Sequence, residues 1–225
     1  MGEVANWKAA LQEAAKQQAK QEEVSGIKYI SLAGGCMTIG DDMVPNNTMD
    51  VIVLADITER TMYDRPYSPD DNAPPDCFAL GPDPKRLAPH DNVPTPISKA
   101  CAKCPKAEFG TAIQGRGPAC KTRRRLIVMP ATDNPEAVGE ADLALLKVPP
   151  TSVVNWSKYV TKVANKGVPT WAVATTVKAG PHPKKQIEVT FAPSKQLSDP
   201  MMATVYERLE EAASAANKPF TYDQD

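Results

Sequence analysis

The chain has 225 residues with 26 basic and 27 acidic side chains, a formal net charge of −1, and 42% of its residues are hydrophobic. That length supports one sizeable core with at most a satellite module, and no apolar run approaches the ~20 residues of a bilayer-spanning helix, so no membrane partner is expected. The near-neutral total hides a segregation: residues 1–100 carry 9 basic and 15 acidic side chains, residues 101–198 carry 15 and 6, and residues 199–225 carry 2 and 6. A chain with a basic middle can hold a polyanion on one face while the whole molecule stays near neutral.

In chain order, residues 1–26 form an arm. Trp7, Leu11, Ala14 and Ala15 fall on one side of a helical pattern over 4–23 that ends at Gly26, and the thin stripe predicts a surface or self-associating helix. Residues 27–197 follow as one domain. Ile27 to Leu32 reads as a strand running through Gly34-Gly35 to Cys36–Ile39, with a bend at the glycines. Asn46-Asn47 turns the chain into a long strand over 49–63, whose apolar first half predicts burial on both faces.

Residues 64–122 read as a strand-poor, proline-rich insert. Strands are then expected at 123–129 and 143–148, and a helix starts at Pro149-Pro150-Thr151-Ser152 with a hydroxyl cap. Val153, Trp156, Tyr159, Val160 and Val163 supply its apolar face and Gly167 stops it. Thr170–Val177 and Gln186–Phe191 pattern as a hairpin, a helix begins at Ser198-Asp199-Pro200, and an acidic, loose tail closes the 198–225 segment. Apart from the insert, strands, one helix and two more strands give the succession of an OB-like Greek-key β-barrel, mainly β with helices at both ends (α+β).

The insert carries Cys77, Cys101, Cys104 and Cys120, spaced C-x23-C-x2-C-x15-C. A C-x2-C knuckle with two distant cysteines is the donor pattern of a tetrahedral Zn2+ site with Zn–S bonds of about 2.3 Å. An excursion this long with few large apolar residues needs a cross-link. A disulfide framework, an iron–sulfur cluster on the same ligands and unrelated buried thiols are the alternatives; the odd cysteine count and the lack of an apolar h-region disfavour the first. Zn2+ is the expected cofactor, and the cysteine usage suits a reducing cytoplasm.

Lys121 leads directly into Arg123, Arg124 and Arg125. With Arg116, Lys178, Lys184 and Lys185 they are the expected phosphate contacts, and Tyr63, Tyr67 and Trp171 the expected stacking rings. Gly115-Arg116-Gly117 reads either as a sharp turn or as a phosphate cradle. No Walker loop, Rossmann fingerprint or H-E-x-x-H helix is present, there are two histidines, and the Asp41-Asp42 and Asp70-Asp71 pairs sit among turn residues. No catalytic residue is therefore expected. Rival readings are an iron–sulfur or Mg-dependent nuclease and a zinc module that binds a host protein.

The run Cys101-x-x-Cys104-Pro105, Phe109-Gly110-Thr111-Ala112, Gly115-Arg116-Gly117-x-x-Cys120-Lys121-x-x-Arg124-x-Leu126, followed by Leu145 and Pro149-Pro150-Thr151-Ser152 before a Trp/Tyr helix, resembles bacteriophage zinc-containing single-stranded DNA-binding proteins. The resemblance spans roughly 27–192. It implies an OB-fold that coats single-stranded DNA in phage replication or recombination, in the cytoplasm of an infected bacterium. It also implies a C-terminal tail that competes with DNA and recruits replication proteins; here that tail ends in Phe220, Tyr222, Asp223 and Asp225.

Overall fold

The computed structural model describes residues 27–66, 73–182 and 185–222; the helix expected over 4–23, Tyr67 and Lys184 lie outside them, and Lys185 is described in its backbone alone. Among the described residues nine strands form one mixed sheet: β1 (Lys28–Ser31), β2 (Thr38–Ile39), β3 (Asp42–Met43), β4 (Thr48–Met62), β5 (Cys77–Gly81), β6 (Lys121–Pro130), β7 (Ala144–Val148), β8 (Val173–His182) and β9 (Lys185–Gln196). Their order is β3-β2-β1-β7-β6-β4-β8-β9, with β5 also paired to β4, and the sheet curls into a half-barrel. β1 runs parallel to β7, while the other described pairs are antiparallel.

The organising element is β4. Its run Val51–Leu54 is buried, as a continuous apolar segment covered on both faces must be. β6 pairs along one flank, whereas the other flank is shared by β8 at Thr48–Ile52 and β5 at Thr58–Met62. A bulge between Val53 and Ala55 shifts the alternation, so Ile52, Leu54 and Ile57 belong to one face and Val51 and Val53 to the other. A bulge of this kind sharpens local twist and helps a sheet to curl.

Among the described residues four α-helices pack around the sheet: α1 (Pro135–Gly139), α2 (Val153–Ala164), α3 (Asp199–Glu207) and α4 (Leu209–Ala216). Trp156, Tyr159 and Val163 of α2 join Val51, Val53, Leu126, Val128 and Leu146 in one core. α3 and α4 bury Met201, Val205, Ala212 and Ala216 against Ile52, Ile57, Ile127 and Met129 in the other. Each fully buried aliphatic side chain contributes about 1.5–3 kcal/mol relative to exposure.

Several local expectations are corrected. Gly34 and Gly35 adopt φ of 63° and 78°, so the chain reverses there and β2 returns along β1 as a hairpin instead of continuing as a bent strand. The last helix is two, broken at Arg208 (φ −97°, ψ −1°); its guanidinium instead donates to the carbonyls of Val138 (3.3 Å), Gly139 (3.2 Å) and Ala141 (2.6 Å) at the end of α1. Ser152 does not cap α2: its hydroxyl accepts from Val189 N at 2.9 Å. Thr151 and Asn155 donate to the carbonyls of Ile187 (3.3 Å) and Val189 (2.9 Å). The entry to α2 thereby pairs part of the outer edge of β9 with side chains, and Pro193 removes a donor further along; both devices blunt an edge strand.

Candidate functional site

The insert is built on the end of β4. β5 sets Cys77 opposite Met62 on one flank, and β6 sets Lys121, one residue past Cys120, opposite Thr61 on the other. Two short 3-10 turns, Cys101–Lys103 and Pro105–Ala107, form the knuckle between them. Cys101 N donates to Leu87 O at 3.0 Å and Cys120 N to Lys106 O at 2.8 Å, which ties the knuckle to both arms. The insert is less strand-poor than its sequence suggests, because β5 crosses it and buries Phe78 and Ala79.

Cys77, Cys101, Cys104 and Cys120 all line one cavity of about 20 Å3, together with Arg60, Met62 and Lys106. That is room for about one water-sized atom. Among the described residues no three His, Cys, Asp or Glu side chains are grouped so that they could hold a metal ion as they stand. The thiols nevertheless feel one another: burial pushes the Cys120 thiol up to about 11 against the pull of Arg60, with Cys101, Cys104 and Cys77 adding to the rise. Burial likewise raises Cys101, opposed by Arg60, and Cys77, opposed by a hydrogen bond from the Ile97 backbone.

Arg60 is the residue that sequence reading missed. Its NH1 donates to Cys101 O at 2.9 Å, and its buried Nε has no hydrogen-bond partner. Its charge opposes the rise of the Cys101 and Cys120 thiols. The signal was an arginine inside the half-buried stretch of a long strand.

The arginine triplet corrects the expectation of a single cationic face. Side chains alternate along β6, as any strand demands. Arg125 is 4% exposed; its Nε donates to Glu59 at 2.5 Å and its NH1 to the carbonyls of Ala216 (3.1 Å) and Lys218 (2.6 Å), beyond the end of α4. Arg124 points to the opposite face, pairs with Asp56 and donates to Thr58 at 2.5 Å; Asp56 also accepts from the Trp156 indole at 2.7 Å. Arg123 donates to Thr61 at 3.0 Å and keeps 34% of its side chain exposed. Arg124 and Arg125 therefore hold the fold together, and Arg123 is the member of the triplet left facing solvent.

Around Glu59, itself fully buried, stand Arg125, Lys147 at 3.5 Å and Arg123 at 4.0 Å. Burial depresses Lys147, and Glu59 opposes that shift. The described part of the tail, residues 218–222, packs over this cluster, contrary to the expectation of a loose end; Asp223 and Asp225 lie outside the described residues. The Phe220 ring lies 5.2 Å from both Arg125 and Lys147 and meets Phe78 edge-on at 5.0 Å. Tyr222 donates to Pro75 O at 2.6 Å and stacks near Phe78.

The other expected contacts divide into separate places. Arg116 is exposed on the hairpin before β6, and Lys121, the first residue of β6, reaches back to place its ammonium 3.2 Å from where a Cβ on Gly117 would stand. Lys178 is exposed on β8 opposite Thr48, while Lys121 lies opposite Thr61; at ~3.3 Å per residue these are roughly 40 Å apart along β4. Tyr63 is exposed beneath Arg65, whose guanidinium lies 5.4 Å from its ring. Trp171 sits in a 3-10 turn before β8, packed on the second core and near Tyr206, which corrects its assignment to a strand. Asp41 and Asp42 are exposed at the β2–β3 turn. Among the described residues no helix is long and apolar enough to cross a membrane. Compared with known proteins, the chain matches no family model, no curated protein and no solved structure.

Proposed function

We propose that the chain is a non-sequence-specific single-stranded DNA-binding protein of the OB type, without chemistry of its own. The observation that carries this reading is the connectivity through β4. With β5 and α1 set aside, the strands β4, β6 and β7, helix α2, and the strands β8 and β9 follow in order with β4 paired to both β6 and β8, an order compatible with the OB succession of three strands, a helix and two strands. OB domains bind oligonucleotides across their second and third strands, between the loop joining strands one and two and the loop joining four and five. In this chain the first of those loops is the cysteine insert with Arg116 and Lys121, and the second is the β8–β9 hairpin with Lys178, Lys184 and Lys185 in its sequence. The split of the cations between two ends of β4 suits that arrangement. As the resemblance implies, the role would be in phage replication or recombination.

Zn2+ is part of the proposal. Cys77, Cys101, Cys104 and Cys120 would hold it: four soft donors line one cavity without a carboxylate among its walls, and Arg60 and Lys106 would offset the negative charge of a four-thiolate site. The ion would be structural, fixing the insert that carries Arg116 and Lys121.

The test is an anisotropy titration of a labelled oligo-dT at two salt concentrations, with elemental analysis of the same preparation. The reading expects about one zinc per chain and an affinity that falls steeply with salt, by a log–log slope of about −0.7 per phosphate neutralised. No binding at low salt overturns the function, and a preparation free of zinc that binds fully overturns the role of the metal.

A further inference from the structure

The insert carries a feature that no expected contact covers. Between the knuckle and Cys120 the chain forms a hairpin, closed by Gly110 N to Arg116 O at 3.1 Å and Ala112 N to Gly117 O at 3.0 Å. Thr111 braces its base, donating to Glu108 O at 2.7 Å and accepting from Ala119 N at 2.9 Å. Gly110 and Gly115 adopt φ of 86° and 80°, a region open to glycine and costly for other residues. On this braced hairpin Phe109 is 85% exposed and Ile113 52%. The other three phenylalanines, Phe78, Phe191 and Phe220, pack against further aromatic rings.

The backbone of this hairpin also brings cationic residues close to Phe109 in the chain, with Glu108 the one acid between Cys101 and Lys121. The bond between Gly110 and Arg116 brings the residue beside Phe109 to Arg116, and Lys121 stands by Gly117 on the returning arm. Residues 101–121 contain four basic side chains and one acidic one. An aromatic ring exposed on a hydrogen-bonded loop that also carries Arg116, with Lys121 beside it, suits a stacked base next to phosphates: the ring takes the base and the cations take the backbone. A protein partner would more often meet a broader apolar patch with fewer charges around it.

We propose that Phe109 is a base-stacking residue for single-stranded nucleic acid, with Arg116 and Lys121 contacting the phosphates on either side. This rests on the single-strand-binding reading above and names the contact that the triplet does not supply. The experiment compares full-length wild type, Phe109→Ala and Phe109→Trp by anisotropy with labelled oligo-dT, and follows tryptophan emission on saturation. Phe109→Ala is expected to weaken binding about tenfold or more with an unchanged salt slope, because a ring is lost and no charge is. Phe109→Trp is expected to retain affinity and to show quenching beyond that of the wild type. Equal binding by wild type and Phe109→Ala overturns the inference and leaves the function standing. A wild type that binds no oligonucleotide overturns the function itself, and the inference with it. Loss of self-association in Phe109→Ala with unchanged oligonucleotide affinity also overturns the inference and gives the hairpin to a second copy of the chain.

Discussion

The hairpin ending at Cys120 and the arginine triplet near the start of β6 are neighbours in sequence and both basic, yet they occupy opposite environments. Arg116 stands on a braced turn facing solvent, while Arg124 and Arg125 are held by Asp56 and Glu59 across the β4–β6 ladder. The difference lies in the partner strand. β6 pairs residue by residue with a strand that sets Asp56 and Glu59 beside the triplet, so its guanidinium groups meet carboxylates at close range; the hairpin pairs with itself, and among the described residues Arg116 has no ion pair. A run of arginines is a binding surface only where no neighbouring strand answers it.

This contrast is broken most sharply at Arg125. Arg125→Ala leaves the buried Glu59 carboxylate without its nearest cation, and removing one member of a buried pair typically costs about 3–5 kcal/mol. Urea denaturation is expected to show a loss of that order; a loss within ~0.5 kcal/mol, the level of an ordinary surface change, would place Arg125 with the free cations. Phe220→Ala comes next. It removes a ring that covers Arg125 and Lys147 and touches Phe78, so stability should fall by about 1–2 kcal/mol. Because Lys147 would then be uncovered, oligo-dT affinity is expected to rise severalfold; weaker binding would show that the strap supports the ligand instead of excluding it. Arg116→Gln has the smallest effect on the fold, within ~0.5 kcal/mol, but should reduce the salt slope by roughly one phosphate contact. An unchanged slope would remove Arg116 from the interface.

Much of the fold was legible because it is written in local patterns. The apolar run of β4 and the three- and four-residue spacing of Trp156, Tyr159 and Val163 each define an element and the face it buries. The four cysteines were legible as a set from spacing, and they do surround one cavity. Arg60 was not, because its role depends on the chain returning 41 residues later to place the Cys101 carbonyl beside it. The pairing of the triplet left a trace, since Asp56 and Glu59 interrupt an otherwise half-buried strand, but their link to Arg124 and Arg125 spans more than 60 residues. Phe109 stood in plain view in the sequence; its exposure did not.

The sequence by itself determined the long apolar strand β4, the apolar face of α2, that four cysteines fall in one insert, and that the positive charge is concentrated in the middle of the chain. Tertiary structure alone decided which of those charges are neutralised, which aromatic rings are covered, and that Phe220 and Tyr222 pack over Lys147 and Phe78. The physical reason is range. Backbone preference and hydrophobic period act over a few residues, whereas burial and ion pairing are fixed by neighbours that only the closed sheet brings within a few ångströms.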